Sequence, residues 1–230
     1  MVVLYTFSLL LVVFVPALIW LLFFLKEDLH PEPKKLLLHT FAFGGIISMP
    51  TLTLQIIFQN IVAAFSLNII ILIIGLALIE EMLKFFAAYS SVKNNPAFDE
   101  PVDAMIYMIV AGLGFATIEN LFIISGGLEL SAGSVLSGLG TLSLRFVGAT
   151  LLHVLSSAIF GYFWGKGYFG GDFKKNLFKG AAIATLIHAF FNYLILQFQD
   201  VSLIYPSIFL IFAAFFVFCD FEKLKEVKVR

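Results

Sequence analysis

Long apolar runs follow one another along nearly the whole chain, and each is about as long as one membrane crossing. Since about 20 apolar residues span the hydrocarbon core of a bilayer, each run predicts a transmembrane segment. Inside a bilayer the backbone has no water to bind, so helices that pair their own amides and carbonyls are expected. The sequence therefore predicts an all-α fold, a polytopic transmembrane helical bundle of about seven spans. The predicted spans are residues 2–25, 36–58, 67–91, 102–125, 142–164, 177–196 and 203–221.

The composition also favours a membrane protein. Hydrophobic residues make up 61% of the 230 residues and charged residues only 13%, whereas a typical soluble domain is about one quarter charged. The sequence contains no internal repeat and no long linker. We therefore expect one transmembrane domain over residues 1–230, with its functional core near residues 67–196. The single cysteine, Cys219, excludes an internal disulfide and a thiolate metal cluster.

The distribution of basic residues predicts the orientation of the bundle. Lysine and arginine mark the cytoplasmic side of a membrane protein, and the loops near 59–66, 126–141 and 197–202 contain neither. This asymmetry predicts an outside N-terminus and a cytoplasmic C-terminus. The net charge of −1 and the absence of a basic stripe argue against nucleic acid as a partner. The segment 126–141 is compatible with an external loop or a re-entrant segment. The basic residues that follow odd-numbered spans are Lys26, Lys34, Lys35, Lys93, Lys166, Lys174, Lys175, Lys223, Lys225, Lys228 and Arg230.

A few ionisable side chains remain inside the predicted spans, where such groups are costly and usually mark a functional site. A rise of about 1.5 Å per residue converts position in a helix into depth. Two glutamates and two histidines then lie within about 5 Å of the central plane, whereas Glu119 lies about 8 Å from it. These four residues are Glu80, Glu81, His153 and His188. Their shared depth predicts that they meet between helices.

The spacing of the polar residues along each helix predicts which face their side chains share. Glu80 and Lys84 are four residues apart, so they are predicted to pair on one face, while Glu81 points about 100 degrees away. His188 and Asn192 have the same spacing, which places an imidazole and an amide one turn apart. At each position a structural interpretation competes, such as an ion pair with Lys84 that only fixes helix packing.

Hydrolysis of a peptide bond is the chemistry that this set of groups favours. A buried glutamate can remove a proton from water, and histidines with Asn192 can bind the oxyanion that develops. Alternatively, His153, His188 and Glu119 can hold a metal that polarises the water, and two histidines with one glutamate is a catalytic zinc arrangement. The residues alone leave the metal-free and the zinc-dependent mechanisms open.

Four motifs, in this order, resemble the PrsW-type intramembrane proteases, relatives of CAAX prenyl proteases and bacteriocin-processing membrane proteins. Residues 80–84 resemble E-E-x-x-K, residues 115–120 resemble F-x-x-x-E-N, and residues 188–192 resemble H-x-x-x-N. Arg145 with His153 resembles the third motif. The resemblance implies a multi-pass protease of a bacterial or archaeal plasma membrane that cleaves membrane-anchored proteins, as in the first cut of an anti-sigma factor. The catalytic set it implies is Glu80, Glu81, Glu119, His153, His188 and Asn192.

The sequence departs from the CAAX protease pattern at two positions. Lys84 replaces an arginine that would come one position later, and Glu119 stands where that pattern has a histidine. Two other functions stay open on the residues alone. Intramembrane glutamates and histidines also form ion pathways in proton-coupled or ion-coupled transporters, and the same polar groups can serve only assembly in a non-catalytic scaffold.

Overall fold

The structure is a computed structural model that describes residues 2–28, 30–126, 135–198 and 204–226. Within these ranges the chain forms seven α-helices and no strand, as the all-α prediction requires. The helices are α1 (Val2–Phe24), α2 (Lys34–Ala64), α3 (Ile69–Val92), α4 (Pro101–Gly126), α5 (Val135–Gly170), α6 (Phe173–Gln197) and α7 (Ile204–Lys225).

The observed helices extend beyond several predicted spans. α5 begins at Val135, before the predicted start at residue 142, and ends at Gly170. The second half of the segment 126–141 is therefore helical. Residues 127–134 lie outside the described residues. The prediction of an external loop or a re-entrant segment in 126–141 therefore stays a prediction.

Four of the described helices are long and apolar enough to cross a membrane: α2, α4, α6 and α7. α3 has a comparable length of 24 residues, but its second half carries Glu80, Glu81 and Lys84, and all three side chains are buried in the bundle. Burial between helices is the usual way to accommodate charge at bilayer depth. Apolar side chains of α7, such as Ile211 and Phe212, point away from the bundle instead, as expected of a lipid-facing surface.

α4 is the central helix, and small residues let its neighbours approach its backbone. A Cβ atom on Gly44 of α2 would lie 2.1 Å from the carbonyl oxygen of Ala111 in α4, and one on Gly114 would lie 1.9 Å from that of Phe41. On the other side of α4, a Cβ on Gly161 of α5 would lie 2.6 Å from Met105. Close backbone approach of this kind is how helices associate in membranes, where apolar burial provides little driving force.

Four helices surround the polar residues of α3. α2, α4, α5 and α6 follow one another around α3, and each of the four contacts it. α1 packs on the outside of α4 and α5, and α7 packs on α5, α4 and α6. The residues predicted to meet at one depth therefore lie inside this five-helix group.

A polar cluster fixes the loop between α1 and α2 to the beginning of α4. Asp103 accepts hydrogen bonds from the backbone amides of Asp99 at 2.9 Å and Glu100 at 2.7 Å, so it caps the beginning of α4. Tyr107 donates a hydrogen bond to Glu32 in the preceding loop. Burial raises the pKa of Glu32 above its ordinary value.

Candidate active site

The side chain of Glu81 is the centre of the polar network. It is fully buried, and its Oε1 accepts hydrogen bonds from Lys84 Nζ at 2.6 Å and Ser156 Oγ at 2.9 Å. His188 Nδ1 lies 2.6 Å from the same oxygen. The prediction that Lys84 pairs with Glu80 is therefore wrong, since Lys84 binds Glu81 three residues away. Spacings of three and four residues both bring side chains together on a helix, and Lys84 points toward α5, where Ser156 lies 3.4 Å from its Nζ.

Glu80 has two oxygens in different surroundings. Its Oε1 accepts a hydrogen bond from Gln55 Nε2 of α2 at 2.7 Å. Its Oε2 lies 3.5 Å from His188 Nε2 and is buried, with no hydrogen-bond partner in the part of the chain that the structure describes. His188 therefore lies between the two glutamates, with one ring nitrogen toward each.

His153 of α5 joins this network from the opposite side. Its Nε2 lies 2.7 Å from Glu119 Oε2, and its Nδ1 lies 3.4 Å from Lys84 Nζ. The lysine ammonium has no acceptor, so Nδ1 must accept and Nε2–H must donate to Glu119. The rings of His153 and His188 are perpendicular, with centroids 5.1 Å apart.

The hydrogen bonds also define the tautomer of His188. Glu81 Oε1 already accepts two other hydrogen bonds, so His188 Nδ1 donates to it as a third. In the neutral imidazole this leaves the lone pair of Nε2 facing Glu80 Oε2. Two electron-rich atoms thus face each other across 3.5 Å in a buried site, which is unfavourable unless a proton or a cation lies between them.

A metal ion fits this arrangement. Ligand atoms of Glu80, His153 and His188 lie within 4.8 Å of one another, and all three residues are buried. Ligands at about 2.0–2.2 Å from a tetrahedral zinc ion lie roughly 3.4 Å apart, close to the separation of His188 Nε2 and Glu80 Oε2. Glu81 then has the position of the carboxylate that commonly orients a metal-binding histidine through its other nitrogen.

The structure thus brings together five of the six predicted catalytic residues in one contact network of Glu80, Glu81, Glu119, His153 and His188. The carboxylate grouped with the two histidines is Glu80, while Glu119 pairs with His153 and its side chain is 35% exposed. Asn192 is half-buried one turn along α6 from His188. Its predicted part in catalysis stays a prediction, as does the ligand role of Glu119. The side chain of Arg145 lies outside the described residues.

Two residues of the network were not predicted from the sequence. Gln55 and Ser156 are uncharged, whereas charged groups and histidines are the side chains that stand out inside an apolar span. Ser156 lies three residues after His153, on the same helix face. This spacing is the sequence signal that could have identified it. Nothing near Gln55 in the sequence distinguishes it from other polar residues of α2.

A buried carboxylate–imidazole group inside a bundle of apolar helices fits one class of protein in particular, the membrane-embedded metal-dependent hydrolases. Comparison with protein families agrees with this class. The model of the PrsW family intramembrane metalloproteases matches residues 32–219. This chain belongs to that family, so it is an intramembrane peptidase of a bacterial type.

Individual relatives extend the match over most of the chain. Protease PrsW of Bacillus subtilis is 28% identical over 214 residues, which cover 90% of each chain. Protease PrsW of Geobacillus kaustophilus is 29% identical and covers 76% of this chain and 73% of its own length. Protease PrsW of Clostridioides difficile is 27% identical, and the match covers 82% of this chain and 79% of its own length. No solved structure matches this chain.

Proposed function

We propose that this protein is a zinc-dependent protease that cleaves membrane-anchored proteins at a site between α3, α5 and α6. The observation that carries the proposal is the group formed by Glu80, His153 and His188, in which Glu80 Oε2 is buried, faces His188 Nε2 and has no hydrogen-bond partner among the described residues. These three residues would hold the metal, and His153 would have to exchange either its Nδ1 contact with Lys84 or its Nε2–H bond to Glu119 for it. When bound, zinc supplies a Lewis acid that polarises the scissile carbonyl and makes water a better nucleophile near neutral pH.

Glu81 and Lys84 prepare the site without touching the substrate. The hydrogen bond from His188 Nδ1 to Glu81 fixes the ring so that Nε2 faces the site. Lys84 and Ser156 hold Glu81 in turn. The ammonium of Lys84 also offsets the charge of one of two adjacent buried carboxylates, which would otherwise repel each other.

Glu119 is the carboxylate best placed to take a proton from water. Its side chain is 35% exposed, whereas Glu80 and Glu81 are buried, and its Oε2 accepts a hydrogen bond from His153 Nε2. A partly exposed carboxylate in contact with an imidazole of the site can accept a proton from water and pass it on. This role for Glu119 competes with the metal-ligand role that the sequence suggested.

The substrate follows from the location of the site. A peptide bond that reaches residues buried between apolar helices must belong to a chain that enters the membrane, so membrane-anchored proteins are the expected class. The anti-sigma-factor type of substrate rests on the family resemblance. We place the protein in the bacterial plasma membrane with its N-terminus outside, because the basic residues concentrate after odd-numbered helices.

A cleavage assay in proteoliposomes tests the proposal. The protein would be reconstituted with a library of single-span reporter proteins that differ near the membrane, and cleavage would be compared between the parent and the variants Glu80→Ala, Glu81→Ala and His188→Ala, with and without a chelator. Each variant is expected to lower cleavage at least roughly 100-fold, and chelation to abolish it. Equal cleavage by the parent and all three variants would contradict the proposal.

A further inference from the structure

The hydrogen bond between Gln55 and Glu80 links the site to α2, a helix that contributes none of the predicted catalytic residues. Gln55 Nε2 donates to Glu80 Oε1 at 2.7 Å. The side chain of Gln55 is half-buried, while its neighbours Leu54 and Ile56 are exposed to the surroundings of the bundle. A glutamine on a lipid-facing helix is unfavourable unless its amide is hydrogen-bonded, and Glu80 provides that bond.

The packing of α2 against α3 sets the register of the two helices, and so places Gln55 beside Glu80. A Cβ atom on Gly75 of α3 would lie 2.2 Å from the ring of Phe58 in α2, so only a glycine accommodates this ring. α2 and α3 are joined by a short turn and run in opposite directions. Moving from Phe58 back to Gln55 along α2 therefore corresponds to moving from Gly75 forward toward Glu80 along α3.

The hydrogen bond decides which oxygen of Glu80 is free. The terminal torsion of a glutamate side chain has a broad energy profile, so the carboxylate can rotate unless a partner fixes it. Gln55 fixes Oε1 and leaves Oε2 toward His188 Nε2 at 3.5 Å. Gln55 is uncharged, so it holds Glu80 without neutralising the carboxylate in an ion pair.

From this geometry, and resting on the proposed function, we infer that Gln55 is a positioning residue that orients Glu80 for metal binding. The structure assigns it no contact with the reacting atoms, and its effect passes through Glu80. Hydrogen-bond partners of metal-binding carboxylates typically change metal affinity or activity about 10-fold to 100-fold when they are removed.

Zinc binding tests this inference without a substrate. Apparent zinc affinity would be measured by competition with a chromophoric chelator on the purified full chain in detergent. Gln55→Met keeps the size of the side chain and removes the donor, so it is expected to weaken zinc binding about 10-fold. Gln59→Met is the matched control, because Gln59 is an exposed glutamine one turn further along α2. Its affinity should stay within about twofold of the parent's.

A double-variant comparison shows whether Gln55 acts through Glu80. Glu80→Gln is expected to weaken zinc binding strongly, and Gln55→Met should add nothing in that background, because the carboxylate it orients is gone. In the reporter assay, Gln55→Met should lower kcat with KM nearly unchanged. Gln55→Asn retracts the amide by about 1.5 Å and serves if Gln55→Met does not fold, with the same losses expected.

The results separate the inference from the proposed function. Parent-like zinc affinity in Gln55→Met, together with loss of binding in Glu80→Gln, would overturn the inference and leave the proposed function standing. The same would follow if Gln59→Met weakened zinc binding as much as Gln55→Met, or if Gln55→Met had its full effect in the Glu80→Gln background. Parent-like zinc affinity and cleavage in Glu80→Gln would instead contradict the proposed function itself.

Discussion

Replacing Lys84 by methionine should destabilise the folded protein strongly. The ammonium group is fully buried and lies 2.6 Å from Glu81 Oε1 and 3.4 Å from both His153 Nδ1 and Ser156 Oγ. Methionine fills a similar volume, so little of the effect would come from a cavity. What remains is the carboxylate of Glu81, buried without its countercharge.

The expected loss in free energy of unfolding depends on the hydrogen bonds that Glu81 retains in Lys84→Met. Removal of one partner from a buried ion pair typically costs about 3–5 kcal/mol. Glu81 Oε1 retains Ser156 and His188, so we expect the lower end, about 3 kcal/mol. For a protein of this length, 1 kcal/mol corresponds to roughly 2–4 °C in Tm. Lys84→Met should therefore unfold roughly 6–12 °C below the parent.

The assay is thermal unfolding of purified protein in detergent, with two further variants. Lys179→Met replaces an exposed lysine of α6 and should unfold within about 2 °C of the parent. The double variant Lys84→Met/Glu81→Gln removes both charges and should recover much of the lost Tm, since a neutral pair no longer requires compensation. The reasoning would be refuted if Lys84→Met unfolded with the parent, or if the double variant were no more stable than Lys84→Met alone.

Three further predictions concern the site and its surroundings. Glu119→Gln should lower kcat about 10²-fold to 10⁴-fold while zinc content, measured by mass spectrometry, stays at the parent level; a large loss of zinc would identify Glu119 as a ligand instead. Dialysis against a chelator should abolish reporter cleavage, and added zinc but not magnesium should restore it, because histidine ligands suit zinc and not magnesium. Because burial raises the pKa of Glu32, its contribution to stability is fully present below the ordinary value of about 4.3 and is lost as pH rises through the raised value. The Tm of Glu32→Gln should thus match the parent at low pH and exceed it increasingly toward neutral pH, and a constant difference would contradict this.

The sequence was sufficient to predict that the polar residues meet, because depth in a membrane helix follows from position alone. Glu80, His153 and His188 lie near the midpoints of three predicted spans, and their ligand atoms do lie within 4.8 Å of one another. Depth also indicated that Glu119 lies apart from the others, and it is the half-buried member of the network. A bundle held in a bilayer leaves helices few other ways to arrange ionisable groups.

Directions around the helix axis were harder to predict. Spacing suggested that Lys84 pairs with Glu80, but the partners offered by α5 draw it to Glu81 instead. These partners depend on how α3 and α5 pack, which the periodicity of one helix does not contain. The contribution of Gln55 was missed for the same reason, since its role comes from the antiparallel packing of α2 on α3.

X-ray absorption at the zinc edge of the purified, zinc-loaded protein tests the central claim most directly. We expect one zinc ion per chain with imidazole scattering from two histidines and oxygen ligands at about 2.0–2.2 Å, and loss of one imidazole contribution in His153→Ala and in His188→Ala. A spectrum without imidazole scattering, or one unchanged in both variants, would contradict the placement of the metal at Glu80, His153 and His188.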